Sequence, residues 1–393
     1  MIKNRKENLK GATARLPLTL HHGRFPREDV ADNRPYTNPY ELLATGQEAA
    51  LRPLLVASAP VTGVELGEAD ADYDKFAALC AAAPCWAGHP LYAAMHGVLA
   101  KVTGCTLPMT AANAPLIWRY YTAETVASPL GVREALARLG VGRLYLGITL
   151  DEWSDAFAGT WKTGDDGITV TPMLCLDDPA ASSHPDILSY TAALTAAVHD
   201  CAARGGTRVL ACLPDGWHFT RPHPFGANEV MKKMAAGQTV TPDEGHLLRT
   251  QICRVLGQAC ANAGVELALC GGTSVEVARL VAYLMSCDGH SALRYTPSVA
   301  GEVRGLLGTP GVSFGLPLTT VDTPDSIKGK IAAHAAVAPI GALAGADLPV
   351  HSLTDVWTLI EARRALCTWL ADGNETGAAP RDVEALRATL ARM

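Results

Sequence analysis

The chain has 393 residues and a formal net charge of -6, with 48% hydrophobic against 18% charged residues, the balance of a globular protein with a large apolar core. No basic block extends beyond the short stretch Lys3–Lys10, which argues against nucleic acid as a partner. No apolar run reaches the ~18 residues of a membrane span, and the first residues lack the apolar segment of a secretion signal; the 11 cysteines, with no C-x-x-C pair, fit reduced thiols in a cytoplasmic protein.

Short β-rich apolar runs alternate along the chain with longer Ala/Leu-rich stretches, which predicts a parallel sheet covered by helices. The first strand is predicted at Leu16–His22 and the second at Leu144–Ile148. Roughly 120 residues separate them, far more than the ~30 of a simple βαβ unit. Tyr73–Ala83 and Pro90–Leu99 in that interval carry helical patterns, which predicts a helical insertion over about residues 35–135. Further strands are predicted at Ile168–Leu174, Arg208–Leu213, Glu266–Gly271, Leu293–Pro297, Val312–Leu316 and Pro339–Leu343. Between them Ile187–Arg204 and Pro242–Gly264 read as helices, the second with Leu247, Leu248, Ile252, Val255 and Leu256 at helical spacing and Gly264 as its C-cap. Leu353–Ala371 closes the series as an amphipathic helix bearing Trp357, Ile360, Leu366 and Trp369. Eight strands of this kind predict a (β/α)8 TIM barrel over residues 14–373, with an N-terminal tail at 1–13 and a C-terminal helical tail at 374–393.

Function in such a barrel resides at the C-terminal strand ends, so the residues there are the candidates. His21 and His22 are adjacent, and adjacent strand residues point to opposite faces; only a bulge turns both inward. Arg24 follows them in Gly23-Arg24-Phe25-Pro26. Cys212 and Cys270 fall near strand ends with Cys175 close to a third; thiolates are soft-metal ligands, but cysteine is also a small core filler. Asp177 follows the third strand, while Asp347 and His351 follow the last. Trp217, His218 and His223 lie in the loop Pro214–Pro224, a place where a new ligand site is to be sought. Gly271-Gly272-Thr273-Ser274 reads as a helix N-cap turn rather than a phosphate loop. Trp118-Arg119-Tyr120-Tyr121 reads equally as helix packing or as a sugar-stacking platform.

Several stretches taken together resemble the uronate isomerases, barrels of the amidohydrolase superfamily type. Asp72-Tyr73-Asp74-Lys75-Phe76, followed by Gly88-His89-Pro90-Leu91-Tyr92 and His96, is similar to the family's D-x-x-K-F and G-N-P-L-Y-x-x-x-H segment. Leu194 to Val209 resembles the helix and strand leading to V-S-D-H, Ala236-Gly237-Gln238-Thr239 resembles A-G-E-T, and Arg363-Arg364-Ala365-Leu366-Cys367 resembles R-R-I-L-C. The resemblance implies a sugar acid as small-molecule partner, aldose–ketose isomerisation of hexuronates such as glucuronate, and a homo-oligomer. It also implies a divalent metal such as zinc, held by His-x-His on the first strand and Asp on the last, for which His22 and Asp347 are the weak counterparts. Most of the implied shell is replaced. The fourth-strand Asp-His reads Ala211-Cys212, the fifth-strand His reads Cys270, the carboxylate-gripping Arg falls at about Asp177, and D-H-Y reads Gln47-Glu48-Ala49. Two further readings therefore stand beside the isomerase: a catalytically silent paralogue that binds a sugar acid or a partner protein, and a barrel enzyme with altered chemistry on a non-acidic sugar.

Overall fold

The structure, a computed structural model, describes residues 16–64, 67, 70–153, 166–176, 184–287, 292–376 and 390. The expected N-terminal tail, all but the start of the expected C-terminal tail, and Asp177 lie outside the described residues.

Eight strands follow one another in chain order around a single sheet: β1 (Leu18–Gly23), β2 (Val141–Thr149), β3 (Thr169–Leu176), β4 (Arg208–Leu213), β5 (Glu266–Gly271), β6 (Leu293–Thr296), β7 (Val312–Pro317) and β8 (Leu343–Asp347). Each neighbouring pair is parallel, so each connection must cross back over the sheet, and helices provide the crossing. The ring returns on itself where Val350 N–H donates to His22 O at 2.8 Å and Arg24 N–H donates to Val350 O at 2.7 Å. The result is the predicted (β/α)8 barrel, nearly closed.

Strand periodicity sorts the side chains. On β4 and β5, Val209, Ala211, Leu213, Leu267 and Leu269 pack outward under the helices. Leu210, Ala268, Cys212 and Cys270 turn inward and meet Tyr145, Met173 and Cys175. The last strand differs from expectation. Pro339 opens a 3-10 turn over Ile340–Ala342, and pairing with β7 starts only at Leu343. The strand then runs through Ala344-Gly345-Ala346-Asp347, residues of low β-propensity, because β7 supplies a partner ladder for them.

Between β1 and β2 the chain forms helices that include Asp72–Ala82, Pro90–Val98 and Ala114–Ala127. The Trp118 cluster is a packing element: the ring lies 5.2 Å from Tyr73 and 5.7 Å from Phe76, and Tyr121 donates to Tyr36 O at 2.8 Å. The C-terminal helix Leu353–Thr376 braces β1 from outside, with Arg363 donating to Leu16 O at 2.5 Å and to Pro17 O at 2.8 Å. The helix Pro90–Val98 crosses it so closely that a Cβ at Gly97 would lie 2.3 Å from the Trp357 ring. Alanine there would gain about 1 kcal/mol of helix propensity but overpack a rigid indole. We expect Gly97→Ala to lower the unfolding free energy by about 2 kcal/mol; urea melts that show no loss would mean that Trp357 swings aside freely. Among the described residues no helix is long and apolar enough to cross a membrane.

Candidate active site

The inward side chains form layers along the barrel axis, set by the inter-strand register. Arg208 pairs with Glu266, Ala268 with Arg294, and Cys212 with Cys270, which in turn pairs with Thr296. The lower and middle layers are cationic. Arg208 binds Glu266 at 2.5 Å and lies over the Tyr145 ring, 5.0 Å from its centroid. Arg294 is 1% exposed, and its Nε and Nη2 find no hydrogen-bond partner among the described residues. Burial, then the neighbouring Arg208, lower its pKa to about 10. Burial would raise the Tyr145 phenol, but hydrogen bonds from Thr207 and Arg143, with the charges of Arg208 and Arg143, bring it below its ordinary value. A buried phenol shifted downward marks a positive interior.

The two histidines enter this interior by different routes. The β1–β2 register is irregular between Leu20 and Gly23, so the strict alternation expected of adjacent strand residues does not hold here. His21 reaches down: its Nδ1 receives hydrogen bonds from Arg208 Nη1 at 3.0 Å and Arg294 Nη1 at 3.1 Å, and its ring stacks on Tyr145. His22 stays at the mouth, where its Nε2 accepts from Arg24 Nε at 2.9 Å and its Nδ1 lies 3.7 Å from Asp347 Oδ1. The expectation that two adjacent histidines point to opposite faces is thus corrected, since both rings contact inward-facing residues.

Asp347 closes β8 with its other oxygen accepting from Thr296 Oγ1 at 2.8 Å. Burial alone would raise its carboxyl. The contact with His22, the charge of Arg294 and the Thr296 bond outweigh burial and hold it well below the usual carboxylate range. Beside it Cys270 donates to Cys212 Sγ across 2.8 Å. That bond, together with burial, pushes the Cys270 thiol well above its ordinary value, which favours the small-core-residue reading of this pair over a thiolate ligand set. His351 lies at the opening. Burial of its ring and the charges of Arg24 and His22 lower its pKa against an opposing pull from Asp355.

Other sequence candidates have structural duties. Both ring nitrogens of His96 are held by backbone groups, Tyr92 O at 2.9 Å and Met109 N–H at 2.9 Å. Gln47, in place of the D-H-Y segment, is 3% exposed and bonds Ser352 at 2.6 Å and Asp355 at 2.7 Å, tying the first helical segment to the start of the last helix. Gly271 takes φ 81° where a Cβ would sit 2.3 Å from Leu213 O, so the glycine pair after β5 serves a tight turn into the helix Ser274–Ser286. His223 caps the helix Pro224–Ala235 through Gly226 N–H at 2.9 Å.

The residues at the mouth do not fit the implied divalent metal. A guanidinium only donates, so Arg24 occupies the Nε2 lone pair of His22 and leaves the ring proton on Nδ1, toward Asp347. His21 Nδ1 is likewise covered by two arginines. Neither imidazole offers a lone pair to a cation, and a zinc-type site needs deprotonated donors. Arg294 and Arg208 were not singled out from sequence, because an Arg inside a strand carries no motif; the only signal was a charged residue where an apolar one was due.

No sequence-family model matches the chain, and no curated protein matches it. Among solved structures it is similar to a uronate isomerase of Thermotoga maritima, with TM-score 0.82 at 16% identity, covering 98% of this chain and 94% of that one. A glucuronate isomerase of Caulobacter crescentus matches with TM-score 0.80 at 17% identity, covering 98% and 91%. A uronate isomerase of Bacillus halodurans matches with TM-score 0.65 at 11% identity, covering 100% and 94%. The chain therefore has a uronate isomerase-like barrel fold, carried end to end by a divergent sequence.

Proposed function

We propose that the chain binds a hexuronate-class sugar acid at the mouth of its barrel and does so without metal-dependent isomerisation. The observation that carries this reading is the 2.9 Å bond from Arg24 Nε to His22 Nε2. It puts a guanidinium on the imidazole face that a metal would need. A guanidinium grips a carboxylate through its planar fork and cannot act as a Lewis acid toward a carbonyl. The basic residues beneath it, Arg208 and Arg294, add a positive potential that draws an anion inward. Likeness to uronate and glucuronate isomerases supports the sugar-acid class, while fold alone does not carry their reaction.

Aldose–ketose isomerisation of glucuronate is the second reading, favoured by the retention of a carboxylate, Asp347, within reach of His22. One experiment separates the two. Calorimetric titration of the full chain with glucuronate, galacturonate and glucose, alongside a glucuronate turnover assay with and without chelator, has distinct outcomes. We expect both uronates to bind, glucose not to bind, Arg24→Met to weaken the uronates at least tenfold, and chelator to change nothing. Glucuronate turnover abolished by chelator would establish the second reading. Equal affinity for glucose and glucuronate would sink the first.

A further inference from the structure

The loop after β4 and the start of the helix Pro242–Ala263 bring together two imidazoles and a carboxylate. His246 Nδ1 lies 3.2 Å from His218 Nε2, and Asp243 Oδ1 lies 3.5 Å from the same His218 nitrogen. All three donor atoms fall within 4.8 Å of one another, the one such trio among the described residues. We propose that His218, Asp243 and His246 form a binding site for a divalent zinc-class cation that clamps the β4 loop to this helix.

Three features support the assignment. With metal–nitrogen distances of about 2.0–2.1 Å, the edge of a tetrahedron between two ligand atoms is about 3.3 Å; the separations of 3.2 and 3.5 Å bracket that value. Asp243 and His246 are three residues apart on a helix, hence neighbours on one face. The helix beginning is fixed by a capping box, Thr241 with Glu244, and acquires its carboxylate there without loss of helix stability.

His218 is equally well placed by its neighbours. Trp217 before it is 1% exposed, and Phe219 N–H after it donates to Glu276 Oε2 at 2.8 Å. The loop is therefore pinned on both sides of the ligand, which limits the entropy lost on binding. Asp243 and His218 are 89% and 48% exposed, so the remaining coordination position opens to water and the ion has a direct entry path.

The test is made with the metal alone. The full chain, stripped by chelator and kept reduced, is titrated with Zn2+ by calorimetry and by thermal melting, next to His218→Ala, His246→Ala and Asp243→Asn. We expect one Zn2+ equivalent to be lost, or weakened by on the order of 100-fold, in either histidine variant and by about tenfold in Asp243→Asn. The Zn2+-induced rise in melting temperature should vanish with it, while chelated samples of all four proteins melt together. Because these side chains are on the surface, folding survives their loss, and circular dichroism checks this. Unchanged zinc stoichiometry and affinity in His218→Ala and His246→Ala would overturn the proposal, since zinc bound to cysteines or at the mouth survives those changes.

Discussion

Replacing Asp347 with Asn is expected to lower the unfolding free energy by about 3 kcal/mol at neutral pH, the cost of removing one member of a buried charge cluster. The size of the volume change is negligible, so the loss is electrostatic. Asn still accepts from Thr296 Oγ1, the 2.8 Å contact. It cannot balance Arg294, and its amide N–H2 would face the Nδ1 proton of His22, a donor against a donor. The pH dependence follows from the direction of the shift. The folded-state pKa of Asp347 is depressed, so its contribution is complete above the unfolded value of about 3.9 and fades as pH falls through the depressed folded value. The gap between wild type and Asp347→Asn should be flat from about pH 5 to 8 and about 1 kcal/mol smaller at pH 3. Urea melts at the two pH values measure it. A gap that widens on acidification would mean that the carboxyl is raised, and that burial rather than Arg294 and His22 governs it.

The barrel was legible because its signal is repeated: apolar runs alternate with helical stretches around the whole ring, and β4 and β5 sit at the residues expected, Arg208–Leu213 and Glu266–Gly271. The one misplaced strand, β8, is built of Ala and Gly and owes its extended form to β7, a tertiary cause invisible to local pattern. The site was legible only as a set of missing ligands. His22, Arg24 and Asp347 were singled out, but which lone pair Arg24 would occupy depends on the bulge between Leu20 and Gly23, and no residue type announces a bulge there. Arg208 and Arg294 were passed over because strand periodicity assigns a face, not a depth. Only the register of β4, β5 and β6 puts them beneath the mouth. The rim cluster lies in sequence across a helix and two turns, so His218 and His246 gave no spacing motif.

Arg294 differs from Asp347: its removal should cost little when the replacement fills its space. The guanidinium is fully buried and, among the described residues, leaves Nε and Nη2 unpaired and bonds only His21, which Arg208 also serves, and Ala344 O at a long 3.3 Å. Each buried unpaired N–H costs about 1–3 kcal/mol, and Arg208 repels the charge at close quarters. Asp347 loses one favourable charge but keeps Thr296 and His22. Arg294→Met, similar in length and without polar nitrogen, should therefore shift the unfolding free energy by no more than about 1 kcal/mol, because shedding the unpaired N–H groups is offset by leaving the buried Asp347 carboxylate short of a cation. Arg294→Ala should lower it by about 3 kcal/mol, because a cavity opens between β5 and β7. The Met variant should nevertheless bind glucuronate less tightly, by about tenfold, as the positive potential beneath the mouth falls. Thermal melts and glucuronate titrations of the two variants test it. If Arg294→Met is as destabilised as Arg294→Ala, the arginine is a structural strut and the cationic interior has no part in ligand binding.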